Sequence, residues 1–450
     1  MNRRSFVQSL AAASLAESVG ALASPPRTRA LSSWFYKAAL GLFVHWGPAS
    51  VAEIEVGWSM YRNSSAPNLY WPPEKYNALA DQFDPKDYNP DKWLEAAARA
   101  GFNYTAFVTR HHDGYAMWPS KHGEFSTRTK MHGRDLVRPF VDACRKHGLK
   151  VGFYYSPTDW NFCPKGWPYR GWPRAEPKFL YTDPPRSAGL PRFVDMKQEE
   201  FDKYFPVFFE YMKGQITELM TNYGKIDLLW WDGLDWPPGF DIRGKELDDH
   251  VRKLQPGIVI NDRYVPTRGS RELGDYNTDY EAKDPAKRPE GAWEQCSPIC
   301  GSWAYGGVKA RCESAAYLIE RLVKNRTWGG NYLPNFGPRP DGTMQPEFYS
   351  ICDQMGAWMK HSAVSIYDIE PGPYPDRCTC PVTTKGNTWF VHFIEPRRKA
   401  ALLKGVEAPK SAVLLRTGKA VEWRKEEDGI LLVPAREDFT AQDDVVAVTW

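Results

Sequence analysis

No run of about 18 apolar residues occurs anywhere in this 450-residue chain, so no stretch is long enough to cross a bilayer as a helix. Neither sign of charge dominates. Lys and Arg number 58 against 55 Asp and Glu, which removes the electrostatic argument for a nucleic-acid partner or an anionic membrane surface. The eight cysteines do not assemble into a metal-ligand set: Cys296 and Cys300 are four apart, Cys378-Thr379-Cys380 is too tight for a zinc knuckle, and Cys144, Cys163, Cys312 and Cys352 are scattered. A chain of this length buries a large core, so no disulfide framework is expected to hold it together.

Other features are plentiful. The length suits one large domain with a smaller appendage. Asn2-Arg3-Arg4-Ser5-Phe6-Val7 sets a twin arginine before an Ala-rich run, and Ala21-Leu22-Ala23 reads as a small-residue cleavage site. Residues 1–23 are therefore read as a twin-arginine-type signal for export to a bacterial periplasm, and are excluded from the fold. The 19 tryptophans, beside Tyr, His and acids, suit a site that stacks flat apolar sugar faces and hydrogen-bonds their rims.

The stretch Gly224 to Gly233 carries the centre of the argument. Ile226 to Trp231 is an apolar run between turn residues, the pattern of a strand buried on both faces, and Asp232 follows it. In a parallel α/β barrel the C-terminal strand ends face the active-site mouth, which makes Asp232 a catalytic candidate. The competing reading is an Asp-Gly turn former. Gly41 to Gly47 reads as a strand ending in His45, Gly101 to Tyr115 as one ending in His111-His112-Asp113, Leu149 to Ser156 as a third, Gly257 to Arg263 as one with a polar tip, and Gly329 to Gly337 as the last. Helices are expected over Asp91 to Arg99, Asp135 to His147, Phe201 to Tyr223, Asp248 to Leu254, Ala315 to Lys324 and Gln345 to His361. Trp160 to Pro191 reads as a long mouth loop, and Gly274 to Glu281 as an acid-rich excursion closed by Trp293-Glu294. Helix, Gly, strand is the repeating unit of a parallel barrel, so the class is α/β, one large barrel with an appendage. Beyond the Pro-rich linker Pro371 to Pro375, short alternating segments suggest a small antiparallel β-domain.

Together these blocks resemble the family 29 glycoside hydrolases, the retaining α-L-fucosidases. The likeness runs through Gly-Leu-Phe-Val-His45-Trp-Gly, Thr-Arg-His111-His112-Asp-Gly-Tyr, Val-Gly-Phe-Tyr154-Tyr155-Ser, Leu-Leu-Trp230-Trp-Asp232-Gly, Asn-Asp-Arg263, Trp293-Glu294, Ser302-Trp303-Ala-Tyr305 and Gly-Gly-Asn331-Tyr-Leu-Pro-Asn-Phe-Gly-Pro, in that family's order from about residue 35 to 365. The resemblance implies a (β/α)8-like barrel over 30–365 followed by a C-terminal antiparallel β-sandwich domain over 372–450, and an exo-acting enzyme that removes terminal fucose from a fucosylated oligosaccharide or glycoconjugate, without cofactor or metal. It implies Asp232 as nucleophile, and Glu294 or Glu281 as acid/base. Glu294 is preferred on the Trp-Glu pattern, with Asp279 behind Glu281. His45, Trp58, His111, His112, Tyr154, Tyr155, Trp230, Arg263, Trp303 and Tyr305 are the implied sugar-binding or supporting residues. Many members carry Glu-Trp where this chain has Gly57-Trp58, so a hydroxyl contact there is either missing or supplied by Glu55.

Three further readings compete. One is a carbohydrate-binding barrel that has lost its acid. Another is an α-L-galactosidase, since an apolar pocket rejects an added hydroxyl by only about 10²-fold. The third is a metal-dependent hydrolase built on His111, His112 and Asp113, although adjacent side chains on an extended backbone point to opposite faces.

Overall fold

The computed structural model describes residues 33–60, 71–162, 198–232, 241–264, 273–394, 400–440 and 442–450. The signal segment, most of the Trp160 to Pro191 loop and Gly233 lie outside them. Eight parallel strands form one curled sheet: β1 (Gly41–Val44), β2 (Tyr104–Arg110), β3 (Gly152–Tyr155), β4 (Leu228–Trp231), β5 (Val259–Ile260), β6 (Asn277–Glu281), β7 (Trp293–Pro298) and β8 (Asn331–Phe336), with β8 beside β1. The circle closes between β5 and β6, where the Asp262 N–H donates to the Tyr276 carbonyl at 3.1 Å and the Asp275 N–H to the Ile260 carbonyl.

Strand alternation sorts the apolar residues into two cores. Tyr104, Ala106, Val108, Tyr154, Leu228, Trp230 and Leu333 fill the barrel interior, while Phe107, Phe153, Tyr155, Leu229 and Trp231 face the helical layer. The layer consists of Pro90–Arg99, Val137–Lys146, Gln198–Asn222, Gly244–Leu254, Ala315–Thr327 and Pro346–Ser362. Each expected helix is present, shifted by a few residues at its ends. Gly152 shows why β3 needs a glycine: a Cβ there would stand 1.9 Å from the Thr105 carbonyl oxygen of β2.

One expectation is corrected. The acid-rich excursion is strand β6, and Trp293-Glu294 opens strand β7 rather than closing a loop. Residues 282–292 between them hold no helix, so the usual β-α-β spacing signal is missing. A Thr-Asp-Tyr-Glu run exposes alternate carboxylates, and polar strands of that kind do not announce themselves by hydropathy.

The C-terminal strands form two antiparallel sheets. β9 (Glu370–Pro371), β10 (Val382–Lys385), β11 (Thr388–Phe393), β13 (Ser411–Leu414) and β16 (Asp444–Thr449) make one, in the order β13-β16-β11-β10-β9; β12 (Ala401–Lys404), β14 (Glu422–Glu426) and β15 (Gly429–Val433) make the other. Val382, Val391, Leu403, Leu414, Leu432 and Val446 share a single core between them. This unit is fastened to the barrel through Trp328 Nε1 to the Tyr374 carbonyl (3.0 Å), Trp358 Nε1 to the Asp443 carbonyl (2.9 Å) and Thr383 Oγ1 to the Ser365 carbonyl (2.7 Å). These contacts gather at the C-terminal ends of the last two helices, the end of the barrel opposite the mouth.

Candidate active site

Side chains at or just beyond β1 to β5 meet at the C-terminal mouth: His45, His111, His112, Tyr154, Asp232 and Arg263. Asp232, just past β4, is the point on which they converge. Tyr154 Oη donates to its Oδ2 at 2.7 Å, Arg263 Nη1 donates to its Oδ1 at 2.9 Å, and His112 Nε2 stands 3.3 Å from Oδ2. Burial alone would push the Asp232 carboxyl up. His112 and Arg263 outweigh it and hold the group well below the usual carboxylate range. Arg263 supplies its share at any working pH, because a guanidinium stays charged.

The histidines differ in what holds them. Ser156 Oγ donates its only proton to the Thr158 carbonyl at 2.8 Å, so at 2.6 Å from His112 it must accept from Nδ1. His112 Nε2 is the nitrogen that faces Asp232. His45 Nδ1 meets Asn335 Oδ1 at 2.6 Å, and Asn335 Nδ2 donates to the Trp303 carbonyl at 2.7 Å, which fixes the amide's orientation. Nδ1 therefore carries the His45 proton. Burial pulls this imidazole down to about 4, so at neutral pH its Nε2 is an acceptor for a hydroxyl. His111 stacks flat against Tyr154, with ring centroids 5.4 Å apart, and its buried Nδ1 has no hydrogen-bond partner among the described residues. Burial and the two neighbouring histidines keep it neutral. Gly114 closes this turn with φ +81°, where a Cβ would strike the Asp159 carboxylate at 2.3 Å.

Trp58 stands edge-on to His112 and to Trp160, at 5.4 and 5.3 Å. Trp303 faces His45 at 5.0 Å. The Glu55 carboxylate accepts the backbone N–H groups of Trp303 and Ala304, both at 3.0 Å, and so pins the loop that carries Trp303. The same loop is closed by a disulfide between Cys300 and Cys312. Arg263 is shared. Beyond its bond to Asp232, Nη2 donates to Glu281 Oε2 at 2.9 Å and Nε to Thr278 Oγ1 at 3.0 Å.

Tyr155, Tyr305 and Glu294 stand away from the mouth, and Trp230 supports the site from below. Tyr155 points to the outer layer, where its hydroxyl donates to Gln215 Oε1 at 2.9 Å, because strand alternation allows only one of the Tyr154-Tyr155 pair to face inward. Tyr305 is buried beside Arg339. Trp230 lies under the site, its ring stacked on Tyr154 and beneath the Arg263 guanidinium. Glu294, preferred over Glu281 on sequence pattern, sits at the second residue of β7, near the closed end of the barrel. It is 1 % exposed, with Oε1 accepting from Trp230 Nε1 at 2.9 Å and Oε2 from the Tyr104 hydroxyl. Glu281 ends β6 at the rim, its side chain 43 % exposed. The Asp279 carboxylate accepts from Asn277 Nδ2 at 2.7 Å.

Asn335, Ser156, Thr278 and Asn261, which pairs with the Trp231 backbone in both directions, were not singled out from sequence. The available signal was a polar residue placed inside or directly after an apolar strand. As for a metal, ligand atoms of His111, His112 and Asp232 do lie within 4.8 Å of one another. The donor set does not fit one: Asp232 already pairs with Arg263, so a metal cation would be added beside a permanent cation.

Burial pushes the Glu294 carboxyl up to about 7 from its ordinary 4.5, against the pull of Tyr104, Trp230 and Arg263. Tyr276 and Cys296 are the other titratable groups facing it. Between those two values the folded chain holds a proton that the unfolded chain has released. The stabilisation is complete below about pH 4.5 and is lost as pH rises through about 7, roughly 3 kcal/mol at 1.4 kcal/mol per unit. Glu294→Gln cannot titrate, so its melting temperature is expected to fall less than wild type's between pH 5 and pH 8. Parallel melting curves for the two proteins would remove Glu294 as the source.

The sequence model of the family described as alpha-L-fucosidase matches residues 8–363. Tissue alpha-L-fucosidase of Macaca fascicularis is 27% identical over 431 residues, covering 90% of this chain and 85% of that one, and the Homo sapiens tissue enzyme is 28% identical over 402 residues, covering 83% and 79%. The structure of alpha-L-fucosidase isoenzyme 1 from Paenibacillus thiaminolyticus superposes with a TM-score of 0.76 at 28% identity, covering 92% of this chain and 97% of that one.

Proposed function

Given that the chain belongs to the α-L-fucosidase family, we propose that it releases terminal α-L-fucose from fucosylated glycans by double displacement, with Asp232 as nucleophile and Glu281 as acid/base. The observation that carries this reading is Arg263, whose two terminal nitrogens each hold one of the carboxylates, keeping them within the span of a single guanidinium. A retaining pair needs its carboxyl groups about 5–5.5 Å apart, whereas an inverting pair leaves room for a water between them.

The environments also divide the roles. Asp232 is recessed and kept ionised by its partners, as an attacking carboxylate must be. Glu281 stands at the rim, where it exchanges protons with water. In the first step an Asp232 oxygen bonds to the anomeric carbon while the Glu281 proton passes to the departing glycosidic oxygen. In the second, Glu281 takes a proton from water as its oxygen displaces Asp232. His45 and His111 line the pocket as hydroxyl partners, His112 backs the nucleophile, and Trp58 and Trp303 border the pocket with apolar faces. Proton NMR of the first-formed sugar from an aryl α-L-fucoside tests the outcome: α-L-fucose is expected, and initial β-L-fucose would sink the double displacement.

The finer address, export by the twin-arginine route to a periplasm, is supported by Arg3-Arg4 and by the Cys300–Cys312 disulfide, which suits an oxidising compartment. Replacing both Arg3 and Arg4 by Lys is expected to leave the enzyme in the cytoplasmic fraction. Unchanged export would discard this address.

A further inference from the structure

One ionisable group inside the barrel has no part in the chemistry above. The Glu294 carboxyl is enclosed by β2, β4 and β7, and both its oxygens accept hydrogen bonds, from the Tyr104 hydroxyl and from Trp230 Nε1. The Trp230 ring is the platform under the nucleophile's supports. Tyr154 stacks on it at 5.5 Å with ring planes 19° apart, and the Arg263 guanidinium carbon lies 4.5 Å from its centroid. Those two side chains are the ones that donate to the two oxygens of Asp232.

We propose that Glu294 is a positioning residue for the glycosidic reaction: from the barrel floor it fixes the Trp230 indole, and through that ring the Tyr154 hydroxyl and Arg263 guanidinium that hold Asp232. The inference rests on Asp232 being the nucleophile. A buried indole N–H must have an acceptor, so the ring keeps its angle only while an oxygen stands at that spot. If the acceptor is lost, the ring turns to find another, carrying Tyr154 and Arg263 with it. Displacements of about 1 Å at a reacting group cost on the order of 10²-fold in rate. Glu294 touches none of the reacting atoms, and its effect is transmitted through packed aromatic faces.

The test uses the whole enzyme with aryl α-L-fucosides of good and poor leaving-group ability, rates being counted per active site titrated with a 2-fluoro-fucosyl fluoride. Glu294→Leu and Trp230→Phe break the same hydrogen bond from opposite sides. Each is expected to lower kcat about 10- to 100-fold. The loss should be equal on both substrates, with KM changed less than about twofold and no rescue by azide. The double variant should be no worse than the poorer single one, since both act through one contact. Glu294→Gln, which keeps an acceptor for the indole, should recover activity to within about threefold of wild type. Trp230→Phe preserves the test should Glu294→Leu fail to fold.

Unchanged kcat per titrated site would overturn the proposal and leave Glu294 a purely structural residue. So would additive losses in the double variant. A loss confined to the poor leaving group and rescued by azide would make Glu294 the acid/base. Glu281→Gln, run alongside, reports on the catalytic assignment independently: if it shows no leaving-group dependence, that assignment fails whatever Glu294 does.

Discussion

Asp232→Gly is expected to lower kcat/KM on an aryl α-L-fucoside by about 10⁴- to 10⁶-fold, the scale on which enzymes lose rate when a covalent nucleophile or its immediate partner is removed. Among the described residues, no neighbour of Asp232 can replace it. Tyr154 donates to Asp232 rather than attacking, Arg263 has no lone pair to offer, and Glu281 lies on the far side of that guanidinium. Glycine also vacates space where the carboxylate stood. Azide is expected to enter it and restore turnover, with β-L-fucosyl azide as product, because a single displacement inverts the anomeric centre. Residual wild-type activity, or an α-azide from this variant, would move the nucleophile elsewhere. Since its neighbours hold Asp232 well below the usual carboxylate range, it remains ionised under mildly acidic conditions. The acid limb of kcat/KM is therefore expected to come from another group.

Glu281→Ala should show the opposite pattern. Protonation of the leaving oxygen contributes about 10²- to 10⁴-fold, and that loss is expected in full on substrates with poor leaving groups. A dinitrophenyl fucoside departs without assistance, so its first step should be nearly normal and a fucosyl-enzyme should accumulate. Azide attacks that intermediate without needing a base, and the product is expected to be α-L-fucosyl azide. Losing Glu281 also frees one Arg263 nitrogen, so a modest additional effect through Asp232 is expected on every substrate. Full activity in Glu281→Ala on the poor leaving group, with the predicted pattern appearing in a Glu294 variant instead, would exchange their roles.

The two acids show where sequence reading succeeds and where it stops. Trp293-Glu294 and Tyr280-Glu281 look alike as words, each an aromatic followed by a carboxylate. Their fates diverge because β7 begins at Trp293, which sets Glu294 low in the barrel, whereas Glu281 is the last residue of β6. Depth along a strand follows from where pairing starts, and here β6 and β7 pair with a shift in register between Asn277 and Tyr280. No local pattern encodes that shift. The helices, by contrast, were legible because each buries an apolar stripe whose period is written in its own residues.

The residues alone determined the barrel, its six helices, and Asp232 as the carboxylate at a strand's mouth end, since hydrophobic period and strand-end polarity are local properties. Tertiary structure decided the rest. Pairing register made Tyr154 rather than Tyr155 the donor to Asp232, closure of the barrel brought Asn335 of β8 to His45 after β1, and both turned Arg263 into the link between two carboxylates. The physical reason is sequence distance: Arg263 and Asp232 are 31 residues apart, and His45 and Asn335 are 290 apart. Such contacts arise only once the sheet has curled and its strands have taken their register.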